Sequence, residues 1–323
     1  MVNCKGTMST KDYELYKNIL QLEQFQLKFS MSKYLKKNFS KVIETDSYIV
    51  AIGDIPIALV AHMDTVFPTT PCDENIYYDR EKEVIWSPVG AGHDDRAGVF
   101  AIIKIIQAGY RPSIIFTTDE EKGGVGAAAL SLAGPCPIPD LKYMIELDRR
   151  GENDCVFYDC YCPEFIEYVS SFGFCEKYGT FSDISFLMAD WDICGVNLSV
   201  GYENEHSCAE ILHTKALYDT IGKVKQMLSE KEIPNFKYDE IPYQDSAWWK
   251  HLMYGTHCSR CKSQHEEYEL FPVKGLDGTP KFYCCNCIAD HVDWCDECKE
   301  AYEVENIEEA KHLCKECAEK YYV

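Results

Sequence analysis

Histidine and carboxylate side chains stand at points where buried strands of this sequence are predicted to end. His62 and Asp64 follow the apolar run 59–61, and Asp94 follows a glycine-rich segment at 90–92 that leads into a helix. Imidazole nitrogens and carboxylate oxygens are ligands that bind Zn²⁺ and similar divalent ions. The pattern therefore predicts a metal site, provided that the rest of the chain supplies further ligands.

Three later segments place candidate ligands in the same kind of position. Glu120 and Glu121 close a strand before two glycines. Asp148 ends another strand, and His206 follows the last predicted strand. In a mainly parallel sheet, functional side chains gather at the carboxyl ends of the strands. We therefore expect these residues to lie at one edge of the sheet.

The elements that position these residues alternate between strands and helices. Apolar residues recur at helical spacing over 10–38. After that region, the patterns predict strand 41–44, strand 48–52, strand 57–61, a surface loop at 65–83, helix 95–109, strand 112–117, helix 126–133, strand 143–147, strand 155–158, helix 163–172, helix 183–189, strand 195–200 and helix 214–230. The strands are mostly continuous apolar runs, which indicates an α/β fold with three layers, α/β/α, around a mostly parallel mixed sheet.

The length of 323 residues predicts roughly two domains. We assign residues 1–232 to the α/β domain, with N-terminal helices at 1–39. Residues 233–251 contain prolines and a Trp-Trp pair, and they are predicted to be a linker. Residues 252–323 hold half of the 18 cysteines and are predicted to form a small cysteine-rich zinc-binding domain.

The charge of the chain limits its partners and its location. A formal net charge of -21 argues against nucleic acid as the main partner, because phosphate binding needs a basic surface. No apolar leader is visible at the start, and no run of about 18 apolar residues could span a membrane. We therefore expect a cytoplasmic protein without a membrane partner, and the oligomeric state stays open.

The ordered set of His, Asp, Glu-Glu, Asp and His resembles the dinuclear zinc exopeptidase superfamily, which includes aminopeptidases, carboxypeptidases and related amidohydrolases. The resemblance covers roughly residues 40–230, and the ordered set is far more specific than any single motif. It implies that Asp94 bridges two divalent metal ions. His62 and Asp148 would complete one metal site, and Glu121 and His206 the other. Zinc is the expected metal, with manganese or cobalt as alternatives.

The same resemblance implies the catalytic roles. Two metal ions sharing a water molecule would lower its pKa and polarise a substrate carbonyl. Glu120 would be the general base that takes the proton of the water and passes it to the leaving amine. Asp64 would hold the imidazole of His62 in place. The peptide bond between Asp94 and Asp95 is expected to be cis.

Neighbouring polar residues are predicted to have ordinary structural roles. Asp95 and Arg96 are expected to form a local ion pair, and His93 to be a structural or surface residue. Asp183 is expected to cap its helix, with a position near the metal site as the alternative. Glu210 is expected to be a solvated helix residue.

Many members of the superfamily carry an inserted second domain, which supplies a lid or a dimer interface. The gaps 64–94 and 148–206 are too short here for an insert of about 50 residues or more besides the required strands and helices. The chain is therefore predicted to belong to the compact branch without that insert.

The C-terminal cysteines form four C-x-x-C pairs, which is a strong signal for zinc. In chain order, the pairs are Cys258 with Cys261, Cys284 with Cys287, Cys295 with Cys298, and Cys314 with Cys317. They resemble two treble-clef or LIM-like fingers in tandem, which implies two structural Zn²⁺ ions. A cross-braced arrangement, in which the first pair binds with the third, stays open because pairing does not follow from spacing alone.

These patterns favour a hydrolase that cleaves a peptide or amide bond, with a peptide or an N-acyl amino acid as substrate. The cysteine-rich domain is expected to recognise a protein partner or to gate the substrate. Nucleic acid is disfavoured there too, because acidic residues outnumber basic ones. The alternatives are a non-peptide amidohydrolase or deacylase, and a catalytically silent scaffold that binds other proteins through its fingers.

Overall fold

The computed structural model describes residues 8–158, 160–177, 179 and 181–238, and in the C-terminal part 258, 260–261, 270–274, 280–284, 287–288, 292–294, 301–303, 307–308 and 313–314. The chain divides into two compact units, Met1–Glu240 and Ile241–Val323. Among the described residues, every helix is too short or too polar to cross a membrane.

The described residues of the first unit form helices of ordinary length and mostly short strands. The helices are α1 Thr10–Leu20, α2 Gln24–Asn38, α3 His93–Gln107, α4 Val125–Leu132, α5 Pro163–Ser171, α6 Asp183–Trp191 and α7 Thr214–Met227, with short 3₁₀ helices at Asp73–Asn75 and Glu120–Lys122. The strands are β1 Lys41–Glu44, β2 Tyr48–Ile52, β3 Ile55–His62, β4 Tyr77–Asp79, β5 Val84–Trp86, β6 Pro112–Thr117, β7 Tyr143–Arg149, β8 Asp154–Val156, β9 Cys175–Glu176, β10 Cys194–Ser199, β11 Tyr202–Glu203 and β12 Ile211–His213.

The central sheet has the strand order β1-β2-β6-β3-β7-β10-β8-β9. Its middle strands β6, β3, β7 and β10 are parallel, whereas β2 runs antiparallel to β6 and β8 runs antiparallel to β10. In β3, residues 57–62 are all buried, as expected for a strand covered on both faces. The predicted α/β fold with a mostly parallel mixed sheet is confirmed.

Helices cover this sheet in two groups. α3 packs against β3 and β7 and also contacts α1 and α7, whereas α4 packs against α6, which contacts β3, β7 and β10. The connection from β3 through α3 moves along the sheet to β6, and the connection from β7 through α6 moves the opposite way to β10. Right-handed crossovers in opposite directions place their helices on opposite faces, which gives the three layers.

A small antiparallel sheet was not expected from the sequence. It has the order β11-β12-β5-β4 and lies at the end of the first unit that carries the candidate ligands. The prediction of a loop throughout 65–83 is therefore wrong, because it contains β4 and a 3₁₀ helix. Strands of two or three residues show no usable hydrophobic period, and β5 and β12 pair over a long sequence separation.

One glycine allows α3 to lie unusually close to β7. A Cβ atom at Gly98 would lie 2.1 Å from the carbonyl oxygen of Leu147 and 2.5 Å from a carboxylate oxygen of Asp95. The missing side chain therefore lets the beginning of α3 approach the end of β7. This approach brings Asp94 beside Asp148, the two acidic residues that the sequence assigns to one metal site.

The described parts of the second unit are mainly short strands. They are β13 Leu270–Lys274, β14 Pro280–Cys284, β15 Val292–Trp294, β16 Ala301–Glu303, β17 Ile307–Glu308 and β18 Leu313–Cys314. One sheet has the order β14-β13-β16-β15, and β17 pairs with β18. Cys295, Cys298 and Cys317 lie outside the described residues, and only the backbone of Cys314 is described.

The beginning of the predicted linker lies on the first unit. Ile233 and Phe236 pack partly buried against its core, and Tyr238 is buried there. Phe236 contacts the rings of Tyr143 and Phe165 at centroid distances of 5.8 and 4.8 Å. Residues 239–251 of the predicted linker lie outside the described residues.

Candidate metal centre

The site begins at the end of β3, where a buried carboxylate holds a buried histidine. His62 Nδ1 lies 3.2 Å from Asp64 Oδ1. The same carboxylate accepts the backbone N–H groups of Glu120 and Glu121, at 3.0 and 3.1 Å. Asp64 therefore ties the imidazole to the turn that carries both glutamates. Burial raises the pKa of Asp64, but His62 and these N–H groups outweigh burial and hold it below its ordinary value.

Asp94 lies between two histidines that come from distant parts of the chain. Its Oδ1 lies 3.0 Å from His62 Nε2, and its Oδ2 lies 3.2 Å from His206 Nε2. Asp94 and Asp95 stand at the start of α3 with backbone angles that are not helical, and the peptide bond between them is cis, as the resemblance implies. The two carboxylate oxygens of Asp94 thus face two different histidines, His62 and His206.

The first group contains His62, Asp94 and Asp148, with ligand atoms that all lie within 4.8 Å of one another. His62 Nε2 is 3.4 Å from Asp148 Oδ1. The Asp148 carboxylate also accepts hydrogen bonds from the Tyr202 hydroxyl at 3.1 Å and the Ser182 hydroxyl at 3.3 Å. These hydroxyls fix the carboxylate at the end of β7, which is how supporting residues orient metal ligands.

The second group contains Asp94, Glu121 and His206, again with ligand atoms within 4.8 Å. His206 Nε2 lies 3.1 Å from Glu121 Oε2. Hydrogen bonds with Asp94 and Glu121 raise the pKa of His206 to about 11. Glu121 Oε1 is buried and has no hydrogen-bond partner among the described residues.

The residues present fit two divalent cations. Each group combines one imidazole with two carboxylates, a donor set that suits zinc, and three protein ligands leave room for a water molecule. Burial and the Asp94 carboxylate raise the pKa of Asp148 to about 7, which shows how strongly these acids disfavour further negative charge. A cation would also give the unpaired Glu121 Oε1 a partner. The structure therefore brings together all five residues that the sequence assigns as catalytic metal ligands.

Glu120 stands beside these groups. Its Oε2 lies 4.0 Å from His62 Nε2, and its side chain lines the same cavity as Asp94 and Asp148. Burial raises the pKa of Glu120 to about 9, with the Asp148 carboxylate adding to the shift and the His62 imidazole opposing it. A carboxylate with a strongly raised pKa beside candidate metal ligands is a typical mark of a functional site.

A cavity of about 360 Å³ opens over the candidate ligands. Tyr158, Phe181 and Tyr202 contribute its aromatic lining, and Arg149 and Arg150 contribute cationic groups. Arg150 also pairs with Glu205 at 2.6 Å. The volume is that of a site for a small ligand or a few residues of a peptide.

Glu210 is a residue that the sequence analysis assigned wrongly. It is completely buried rather than solvated, and its carboxylate accepts the backbone N–H of Gly92 at 2.7 Å and of Asp94 at 3.0 Å. The prediction failed because a lone glutamate four residues after His206 gives no sign of the loop that it binds. The polar run around it favoured an exposed position.

Two further structural expectations are wrong. No ion pair joins Asp95 to Arg96 in the described chain: Asp95 accepts the backbone N–H of Gly98 at 2.8 Å, and Arg96 donates to the carbonyl of Leu22 at 2.9 Å. The helix cap assigned to Asp183 is wrong too.

The cap of α6 is Ser182, and Asp183 is the first residue of that helix. Its buried carboxylate accepts a hydrogen bond from the hydroxyl of Thr117, next to the end of β3. A polar residue at a helix start cannot be assigned as cap or first residue from spacing alone, because the two roles differ by one position.

Comparison with known proteins identifies the fold. No protein-family profile matches the sequence, and no curated protein matches it. Similar solved structures include an aminopeptidase from Desulfurococcus kamchatkensis, with 14% identity and a TM-score of 0.54 over 69% of this chain and 96% of that one. A TET aminopeptidase from a Thaumarchaeota archaeon has 13% identity and a TM-score of 0.53 over 69% and 98%. A tripeptidase from Staphylococcus aureus has 16% identity and a TM-score of 0.51 over 66% and 95%. At these identities the similarity establishes the fold alone.

Proposed function

We propose that this protein is a hydrolase that cleaves a peptide or amide bond with the help of two divalent metal ions. The observation that carries the proposal is the position of Asp94, whose two carboxylate oxygens lie 3.0 Å from His62 Nε2 and 3.2 Å from His206 Nε2. A carboxylate placed in this way can bridge two cations. Asp148 would complete the ligands of one ion and Glu121 those of the other.

When bound, two such cations would polarise the carbonyl of the substrate and lower the pKa of a water molecule. Glu120 is the residue best placed to move the proton, because it lines the cavity and lies beside both ligand groups without belonging to either. It must be ionised to act as a base, and positive charge held by the neighbouring ligands favours that form. Its carboxylate would accept the proton and then deliver it to the leaving amine.

The substrate is proposed to be a short peptide or an N-acyl amino acid. The cavity of about 360 Å³ accommodates a few residues rather than a folded protein. The similar solved structures are named as aminopeptidases and a tripeptidase, which supports an exopeptidase-like activity. Zinc fits the imidazole and carboxylate ligands best, and manganese or cobalt would suit the oxygen ligands as well.

The cysteine-rich segment is proposed to act beside the hydrolase as a protein-recognition module or as a gate for the substrate. Its acidic character continues to argue against nucleic acid. We also propose a cytoplasmic location, because clustered cysteines that bind metal ions are typical of a reducing compartment.

The decisive experiment replaces Glu120 by Gln, which keeps the shape of the side chain but removes the base. Hydrolysis should fall by about 10²–10⁴-fold while the number of bound metal ions stays the same. Glu152→Gln is the matched control, because Glu152 is exposed outside the candidate ligand set. Full activity of the Glu120 variant would refute the proposed mechanism.

The substrate panel for this experiment should include aminoacyl, carboxyl-terminal and N-acyl compounds, each tested with zinc, manganese and cobalt. Turnover of N-acyl compounds alone would identify a deacylase. Retained metal without turnover of any substrate would favour a binding protein built on a hydrolase fold.

A further inference from the structure

Four cysteines of the second unit lie close together. The sulfur atoms of Cys258, Cys261, Cys284 and Cys287 all lie within 4.8 Å of one another. These residues are the first and second C-x-x-C pairs of the chain. The sulfur atoms of Cys261 and Cys284 are 3.9 Å apart, close to the edge of about 3.8 Å in a tetrahedron around Zn²⁺ with zinc–sulfur bonds of about 2.3 Å.

The backbone around the cluster holds these thiols in place. Cys284 ends β14, where it pairs with Leu270 at the start of β13. Its backbone N–H donates to the sulfur of Cys258 over 3.4 Å. Cys258 is completely buried and packs in one cluster with Leu270 and Phe282. The end of this hairpin thus fixes the first pair against the second.

The closeness of the four sulfur atoms favours a bound cation. Neighbouring thiolates repel one another, so four of them this close together are stable only around a positive charge.

We propose that the first and second C-x-x-C pairs together bind one structural Zn²⁺ ion in a closed shell of four thiolates. This arrangement is sequential, so the first pair does not bind with the third pair, Cys295 and Cys298. The cross-braced alternative, which spacing alone left open, requires the first and second pairs to belong to different ions. A shell filled by four protein ligands has no open position for water, so this ion stabilises the fold and does no catalysis.

The zinc content of purified full-length variants distinguishes the two arrangements. One variant has serine at all four positions of the first and second pairs, and another has serine in the first and third pairs. Sequential binding predicts that the first variant loses one zinc ion per chain relative to the unmodified protein, whereas cross-bracing predicts the loss of two. For the second variant, sequential binding predicts the loss of two zinc ions per chain, and cross-bracing predicts the loss of one. Cys72→Ser, which changes an exposed cysteine of the first unit, should lose none.

A measurement on the unmodified chain does not depend on how the variants fold. Stepwise removal of zinc, followed by alkylation and peptide mass spectrometry, shows which thiols become reactive together. The proposal requires Cys258 and Cys261 to react in the same kinetic phase as Cys284 and Cys287. It would be overturned by shared kinetics with the third pair, by disulfides among the four, or by an unchanged zinc content in the first variant. Neither readout uses hydrolysis, so the result is independent of the proposed catalytic activity.

Discussion

The buried carboxylate of Glu210 accepts the backbone N–H of Asp94 at 3.0 Å. Its other oxygen accepts the N–H of Gly92 at 2.7 Å, so one side chain fixes the turn formed by residues 92–94 at the start of α3. The direction of the Asp94 side chain, and therefore its position between His62 and His206, depends on that turn. Glu210 is thus a positioning residue for the candidate metal centre.

Replacing Glu210 by Gln should weaken metal binding. A glutamine has one acceptor oxygen, and its NH₂ group would face an N–H donor of the turn. We expect the affinity for zinc to fall by about 10–100-fold, the range found when residues that support metal ligands are changed. A competition assay with a chromogenic chelator measures this affinity, with Glu152→Gln as the exposed control. Equal affinities of the two variants would show that the turn does not need Glu210.

A second hydrogen-bond chain attaches the N-terminal helix to the same turn. His93 is completely buried, and burial lowers its pKa to about 3, so the ring is neutral. Its Nε2 donates to the carbonyl of Ile85 over 3.1 Å, which leaves Nδ1 to accept the hydroxyl of Tyr16 at 2.7 Å. Tyr16→Phe would leave a buried nitrogen without a partner.

We expect Tyr16→Phe to lower the free energy of unfolding by about 1–3 kcal/mol, the usual cost of an unsatisfied buried polar group. Urea denaturation measures the change, and Tyr161→Phe, at an exposed tyrosine, should change stability little. If Tyr16→Phe lowers the free energy of unfolding no more than Tyr161→Phe does, the ring of His93 must find another hydrogen-bond donor.

Much of the first unit follows from local patterns. The apolar runs that become β3, β6, β7 and β10 and the amphipathic face of α3 are long enough to carry a hydrophobic period. The apolar run of β3 leads to His62 and that of β7 leads to Asp148. The ordered ligands could therefore be predicted to meet at one edge of the sheet. The order of the ligands along the chain was sufficient for this prediction, because parallel strands bring their carboxyl ends together.

Other features depend on contacts between distant segments. Glu210 looks like a surface residue in the sequence, and only the fold shows that its carboxylate accepts the backbone N–H of Asp94. The small sheet joins β5 to β12, which lie more than a hundred residues apart, through strands too short to show a period. The pairing of the cysteines also depends on contacts between distant segments, because equal C-x-x-C spacings fit both sequential and cross-braced zinc sites.

The carboxylate of Asp12 joins three helices and makes the stability of the first unit depend on pH. It accepts hydrogen bonds from Lys104 on α3 and Tyr218 on α7, both at 2.8 Å. Burial raises the pKa of Asp12, but these hydrogen bonds outweigh burial and lower it below 3.8. The ionised form is therefore favoured in the folded protein, and its contribution to stability is lost as the pH falls through the lowered pKa.

Asp12→Asn should reduce the free energy of unfolding by about 1 kcal/mol at neutral pH, since a partly exposed charged hydrogen bond contributes at the lower end of its range. Well below pH 3.8 the aspartic acid is protonated in both states, so the variant and the unmodified protein should become nearly equal in stability. Denaturation curves at several pH values test this, with Asp46→Asn as the exposed control. A difference that stays constant down to low pH would contradict the role of the charge.

The two proposed metal ions should differ in how fast they leave. The side chain of His62 is 0% exposed, whereas that of His206 is 52% exposed. A chelator reaches an ion on the exposed histidine more easily, so zinc should be lost in two phases. His206→Ala should abolish the fast phase and leave the slow one.

His62→Ala should instead remove the slowly released ion, because a buried ligand that is held by Asp64 has no substitute nearby. The release of zinc to a coloured chelator under stopped-flow conditions separates the two phases. Asp94 contributes to both ligand groups, so Asp94→Asn should accelerate both phases, unlike either histidine variant. Release of both ions in one phase from the unmodified protein would show that the exposure of His206 does not control access of the chelator. The bridging position of Asp94 would still account for the binding of two ions.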